Sequence, residues 1–375
     1  MSFEITIFLE IAVLLMTAKI FGEIAERFNL SHIFGEIIAG ILLGALHLVS
    51  QSEFLSQLSS IGLILLFFLV GIEFSSAGSK KNGSIVIFSS ILSFILGFAA
   101  GFVLFGALQA FVLGIALMTT STLASLHSYI NVGQIKTHAH DLVVELNSYE
   151  VFFGVIVLTV LASGIVSGFS YVFMAVITAV AALLAVLIIK FSSVTSRFTE
   201  LIDNKGDAEL LTAAVIVLIF IMSFAADNVG IAFFGAFAAG LLLNKSPSKD
   251  SYIIPNIKTI GFGFFIPMFF AYSTLSFSLS AFAQYWWVVL VLFVLAAASK
   301  LFGLWLPAKF LKQNQRDAIM AGIGMMPRGE YSIVAVHMAL ASAIILPSIY
   351  TIVVGVCLLS MIVTPVVLHI LKRRI

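Results

Sequence analysis

Five ionisable side chains stand inside stretches that are otherwise almost pure hydrocarbon: Glu145, Glu150, Lys300, Arg328 and Glu330. At the centre of a membrane helix such a group costs at least about 2.5 to 3.5 kcal/mol, so it marks a pathway or is held in a pair. A hydroxyl run, Thr119, Thr120, Ser121 and Thr122, lies in another apolar stretch. A carboxylate, two bases and several hydroxyls at one depth would form a site for a small cation or a proton with countercharges beside it. Counting about 1.5 Å per residue from Asp141 puts Glu150 roughly 13 Å into a hydrocarbon core about 30 Å thick. The same count puts Thr120 and Arg328 each roughly 16 Å, and Lys300 roughly 10 Å, from the ends of their own stretches.

Glu145 lies about 140° around a helix from Glu150, so the two do not face one point, and Glu145 is expected to line an access funnel or to pair locally. Asn147 and Tyr149 flank the carboxylate and can hydrogen-bond it, although a tyrosine there is equally a packing residue. Burial disfavours the charge on Lys300 and a carboxylate partner restores it. Lys300 is therefore either a switch, paired with Glu150 until a cation displaces it, or half of a fixed ion pair. Arg328 keeps its proton and is expected to hold Glu330 and the loose carbonyls of a helix break. Glu10, Glu36 and Glu73 read as snorkelling or paired helix-end carboxylates, and Asp227 lies at the edge of its stretch. His138 and His140 read as loop histidines, whereas His127 and His337 are isolated. Gly97 and Gly101 form a packing pair. The single cysteine, Cys357, excludes an internal disulfide and a cysteine metal cluster. With no paired-aspartate, Ser/Lys or metal-ligand spacing, neither an enzyme nor a cofactor is expected, and no metal beyond a transported alkali cation.

The elements that must carry these residues follow from composition. Of 375 residues, 61% are hydrophobic and 10% charged, against about 25% charged in soluble domains. A soluble fold is excluded, and a formal charge of +1 gives no reason to expect nucleic acid. Apolar runs fall at 5 to 21, 32 to 49, 56 to 75, 85 to 107, 109 to 130, 141 to 164, 169 to 192, 209 to 226, 231 to 244, 258 to 276, 284 to 306, 317 to 340 and 348 to 371. That predicts an all-α polytopic membrane protein with thirteen transmembrane helices. Basic residues in short loops collect on the cytoplasmic side. Lys19, Arg27, Lys80, Lys81, Lys136, Lys190, Arg197, Lys205, Lys245, Lys249, Lys258, Lys309, Lys312, Arg316, Lys372, Arg373 and Arg374 all fall after odd-numbered runs or at their ends. The N-terminus is thus expected outside and the C-terminus in the cytoplasm. Glu10 within the first run, with no basic region before it, reads as a retained span rather than a signal peptide.

FGEIIAGILLG, from Phe34, recurs as FGAFAAGLLLN, from Phe234, seven runs later. An odd shift inverts the second copy, which predicts two inverted six-helix repeats joined by a linker helix. Gly and Ala are also common in any packed membrane helix. Runs five and twelve correspond in this scheme, and both are interrupted: one by Thr119 to Thr122, the other by Gly322, Gly324, Pro327 and Gly329. Two broken crossing helices in matching positions point to a midplane binding site.

In order along the chain, FGEIIAGILLG, LILLFFLVGIEFS, TTSTLASLHSYINVGQIKT, FGAFAAGLLLN, FFIPMFFAYSTLSFSLS, SKLFGLW and MPRGEYSIV resemble the monovalent cation:proton antiporter-2 family, the Kef-type and NapA-like Na+ or K+/H+ exchangers. The resemblance implies a homodimer in the cell (inner) membrane, surrounded by lipid. It implies dimerisation-side helices at 1–75 and 209–276, a mobile core at 85–164 and 284–371, and a linker at 169–192. It also implies elevator-like alternating access, with cation and proton competing for one acid. That acid falls on Glu150, the crossover hydroxyls on Thr120 and Ser121, the core lysine on Lys300, and the Arg-Gly-Glu on Arg328, Gly329 and Glu330. Where the family has an acid or amide before its aspartate, this sequence has Tyr149 before Glu150, and a single carboxylate favours electroneutral exchange unless Lys300 also releases a proton. No cytoplasmic nucleotide-binding regulatory domain is expected in this chain. The rival readings are a sodium-coupled symporter of an organic anion held by Lys300 and Arg328, an intramembrane enzyme, and a gated channel.

Overall fold

A computed structural model describes residues 2–74, 80–133, 137–203, 208–246, 253–312 and 314–372. Helices account for nearly all of them, as expected where lipid offers the backbone no hydrogen-bond partner. The helices are α1 (Ser2–Arg27), α2 (His32–Ala45), α3 (Glu53–Ile72), α4 (Lys80–Leu104), α5 (Ala107–Met118), α6 (Thr122–Val132), α7 (His138–Ser167) and α8 (Tyr171–Asp203). They continue as α9 (Ala208–Asp227), α10 (Ala232–Leu243), α11 (Ile254–Ile260), α12 (Ile266–Thr274), α13 (Leu279–Phe310), α14 (Gln315–Gly324), α15 (Glu330–Ala341) and α16 (Pro347–Lys372). A π-helical turn, Gly261–Phe265, joins α11 to α12. Among the described residues, nine stretches are long and apolar enough to cross a membrane, and α2, α10 and α15 are shorter apolar helices. The apolar run at 109 to 130 is divided between α5 and α6, and the run at 317 to 340 between α14 and α15. Of the basic residues that set the expected orientation, Lys136, Lys205, Lys249, Arg373 and Arg374 lie outside the described residues, as do the side chains of Lys80, Lys81, Arg197 and Lys372.

Local sequence sets the helix ends. The Ser52 hydroxyl accepts from the Leu55 N–H at 3.3 Å, and that of Ser278 from the Ala281 N–H at 3.2 Å, each capping a helix start. Gly133, at φ +69°, ends α6 in the left-handed conformation that a side chain resists.

The chain forms two compact units. One comprises Met1–Ser50, Ser75–Gly154 and Ser273–Ile375, the other Gln51–Phe74 and Val155–Tyr272. In the first, α4 packs on α5 and α13, α13 on α14 and α16, α15 on α5 and α16, and α1 on α2. In the second, α10 packs against α3, α8 and α9, and the π-helical turn lies on α3. There the Lys258 ammonium meets Glu73 at 2.6 Å, and the Asn244 amide donates to the Ile72 and Phe74 carbonyls, both at 2.7 Å, closing the end of α3. Glu10 is likewise partnered at its helix end, accepting from the Ser50 hydroxyl at 2.6 Å.

The recurring FG element has the same packing task in each unit. A Cβ on Gly35 would lie 2.0 Å from the Phe21 carbonyl oxygen of α1, and one on Gly235 2.2 Å from the Met222 carbonyl oxygen of α9. Each glycine lets its short helix touch the backbone of the helix before it. Gly35→Ala and Gly235→Ala should each cost about 1 to 3 kcal/mol, read as a lowered unfolding temperature in detergent. Gly263→Ala, whose new Cβ meets no atom within 4 Å, should leave it unchanged.

Candidate functional site

Within the first unit, two interrupted helices meet. After α5 the backbone is extended through Thr119 (φ −89°, ψ 146°) and Ser121 (φ −75°, ψ 107°) before α6 begins. The other break runs from Met325 to Gly329, between α14 and α15. The two join directly, the Ser121 N–H donating to the Pro327 carbonyl at 2.8 Å. The Thr120 hydroxyl donates to the Met325 carbonyl at 2.9 Å and the Ser125 hydroxyl to that of Gly324 at 2.6 Å. Tyr129 reaches the Met320 carbonyl at 2.7 Å, and Ser332 that of Ala116 at 2.6 Å. Side chains from α6 and α15 thus satisfy carbonyls that α14 and α5 leave open at their C-terminal ends.

Charges complete the joint. Glu330, 2% exposed, accepts from the Ser121 hydroxyl at 2.6 Å and the Thr122 N–H at 2.8 Å, placing a carboxylate at the start of α6, where the helix dipole favours it. The fully buried Arg328 donates to the Met325 and Met326 carbonyls at 3.1 Å and to the Ala296 carbonyl at 2.9 Å. Its own N–H is fixed to the Ser360 hydroxyl at 2.9 Å. Arg328 therefore holds the loose carbonyls of the break, while Glu330 bonds to the start of α6 rather than to Arg328.

Glu150, on α7, is 3% exposed, and its Oε1 receives both the Thr120 backbone N–H at 2.7 Å and the ammonium of the fully buried Lys300, on α13, at 2.5 Å. Its Oε2 has no hydrogen-bond partner among the described residues. The same is true of Asn147, buried three residues earlier and on the same side of α7, and of the Thr119 hydroxyl. Two further buried polar side chains, one a turn earlier on α7 and one next in sequence to Thr120, thus stand without hydrogen-bond partners among the described residues. The residues singled out by sequence separate here into two sets. Glu150, Asn147, Lys300 and the Thr120 backbone are gathered together. The Thr120 and Ser121 hydroxyls are instead committed to Met325 and Glu330. Glu145 accepts from the Asn82 amide at 2.7 Å, the local pairing that was one of its two readings. The half-buried Tyr149 lies along α4, where a Cβ on Gly83 would stand 3.2 Å from its ring. Sequence reasoning passed over Asn82 and Ser360 and did not single Thr119 out of its run. Thr119 was visible as the first member of the hydroxyl run, but nothing in that run shows which hydroxyl the crossing leaves uncommitted. Among the described residues, no group of three or more His, Cys, Asp or Glu is placed to hold a metal.

Residues 12–373 match the model of the sodium/hydrogen exchanger transmembrane family. The chain belongs to that family. It is similar to the "Na(+)/H(+)-K(+) antiporter GerN" of Bacillus cereus, 26% identical over 371 residues that cover 96% of this chain and 95% of that protein. It is similar too to a Na(+)/H(+) antiporter of Enterococcus hirae, 26% identical over 385 residues covering 98% and 99%. The structure of the sodium proton antiporter MjNhaP1 from Methanocaldococcus jannaschii at pH 8 superposes with a TM-score of 0.72 at 15% identity, over 98% of this chain and 100% of that one. That exchanger thus shares the fold.

The buried pair gives a direct test. Lys300→Met leaves the Glu150 carboxylate uncompensated and should destabilise by about 3 to 5 kcal/mol near neutral pH. Adding Glu150→Gln should recover most of that loss. Thermal unfolding of the two single variants and the double variant in detergent measures the cycle.

Proposed function

We propose that this exchanger-family chain carries out secondary active exchange of sodium or potassium for protons, with cation and proton competing for Glu150. The supporting observation is the buried Oε2 of Glu150, without a hydrogen-bond partner among the described residues, together with the likewise unpartnered Asn147 amide on the same side of α7 and the Thr119 hydroxyl next in sequence to Thr120. A desolvated alkali cation needs several oxygen ligands, and these supply them without requiring any existing hydrogen bond in the crossing to break. Lys300 acts as the countercharge: it balances Glu150 while no ion is bound and yields part of the carboxylate when one arrives. A proton on Glu150 removes the attraction for the cation. In this reading the exchange is obligatory because the site crosses the membrane only when Glu150 is occupied, by the cation or by a proton.

Glu145 with Asn82 lines the access funnel in this reading, and Tyr149 borders it. The operating assembly is a homodimer in the cell membrane with thirteen spans in two inverted repeats, N-terminus outside and C-terminus cytoplasmic, working by an elevator-like movement. The names of the relatives from Bacillus cereus and Enterococcus hirae favour an exchanger of this ion class. The organic-anion symporter is disfavoured by geometry, since Lys300 is engaged by Glu150 and Arg328 by three carbonyls, which leaves only the Arg328 Nε without a partner among the described residues.

In proteoliposomes carrying a pH-sensitive dye, adding sodium or potassium should release protons from wild-type protein, and Glu150→Gln should abolish the signal. Wild-type flux in Glu150→Gln would remove the assignment. Thr119→Val, which keeps the shape and deletes the oxygen, should raise the half-saturating cation concentration about tenfold, the loss expected for one ligand contact to a charged group, whereas Thr119→Ser should stay near wild type.

A further inference from the structure

His127 and His32 are far apart in sequence and face each other in the first unit. Their ring centroids are 6.4 Å apart with planes inclined by 47°. The His32 Nε2 meets the Glu26 carboxylate at 2.5 Å. His127 also hydrogen-bonds the backbone of Leu30, and its Nε2 is buried without a hydrogen-bond partner among the described residues. One turn further along α6, the Asn131 amide donates to the Asn29 carbonyl at 2.9 Å. Asn29 itself stands at φ +59°. The tight corner between α1 and α2 is therefore tied to the last turns of α6 by the His127 imidazole and the Asn131 amide, with the His32–Glu26 pair facing His127.

We infer that Glu26, His32 and His127 form a second proton-binding site, separate from Glu150, that latches the α1–α2 corner to α6. The ligand is the proton itself. An imidazole titrates near pH 6.5 when unperturbed. With His127 neutral, a single imidazolium at His32 faces the single carboxylate of Glu26 and the corner is electrically satisfied. A second proton places two cations 6.4 Å apart, centroid to centroid, against one carboxylate, and the excess positive charge pushes the corner off α6. The other charges on these elements do not offset it. On α1, Glu23 and Arg27 pair with each other at 3.6 Å in an exposed position. Glu36, one turn deeper on α2, is within the electrostatic reach of Lys19 of α1. Of the helices beside α6, α14 presents Asp317, which acts on Tyr129, the His369 of α16 is exposed, and α7 presents His140, whose ring meets that of Tyr129 at 5.8 Å and whose Nδ1 lies 3.5 Å from Asp141. The charged groups acting on His127 are Glu26 and His32.

The latch bears on the ion site because α6 is the half-helix whose first turn is bound by Glu330 and which follows directly on Thr120. Its far end is what the corner holds. Acid thus loosens the support of one of the two crossing segments without touching Glu150.

Hydrogen–deuterium exchange tests this independently of any transport assay, so its outcome is separable from that of the proposed exchange activity. With exchange times corrected for the intrinsic pH dependence, peptides covering 28–33 and 126–132 of the wild-type protein should exchange about tenfold faster at about pH 5.5 than at about pH 8. Peptides within α16 should show no such change. His127→Gln and His32→Gln, which keep a hydrogen-bonding side chain but cannot gain a charge, should each flatten the pH dependence. Protection in the wild-type corner that is the same at both pH values, or a pH response retained in both glutamine variants, would overturn the inference. The wild-type comparison stands even if one variant fails to fold.

Discussion

A carboxylate in the middle of a hydrocarbon layer is tolerable only if something nearby answers its charge, and the first unit is arranged around that requirement. Glu150 is answered on one oxygen, by Lys300 and by the Thr120 N–H, and left unanswered on the other. The Thr120 N–H is free to do this only because the helix stops at Met118; in a continuous helix it would be bonded four residues back. The break in α5 is thus the means by which a backbone dipole is turned toward the acid. Every other feature of the crossing keeps that break open at bearable cost.

The second break is held from both ends by opposite charges. Arg328 gathers the carbonyls at the end of α14, while Glu330 caps the start of α6 across the joint. Gly329 sits between them, where a Cβ would fall 2.6 Å from the Ser121 side chain. The Arg-Gly-Glu triplet therefore acts as one device: a cation for one helix end, an anion for another, and between them a residue small enough for the two chains to cross. Neither charge reaches Glu150 by a hydrogen bond, which leaves the acid with a single committed counterion.

Much of this was legible in the sequence because an intramembrane charge is conspicuous and depth can be counted along a helix. Glu150, Lys300, Arg328 and Glu330 stood out for that reason, and the paired breaks followed from Pro327, the flanking glycines and the Thr/Ser run. What the sequence withheld was partner choice. Four adjacent hydroxyls look alike on paper, yet the crossing consumes those of Thr120 and Ser121 and leaves that of Thr119 free, a distinction made by contacts some two hundred residues away. The same blindness made His127 read as isolated, since its neighbour His32 belongs to a different helix pair. The grouping of helices was also hidden: α1 and α2 fall in the unit that carries the crossing, and α3 in the other.

Arg328 carries one more consequence. A guanidinium does not surrender its proton under conditions in which the protein stays folded, so the end of α14 is propped by a permanent charge. A lysine there would offer a similar reach and the same formal sign, but its charge could be lost on burial. A replacement that looks mild on paper would thereby turn a permanent prop into a titratable one.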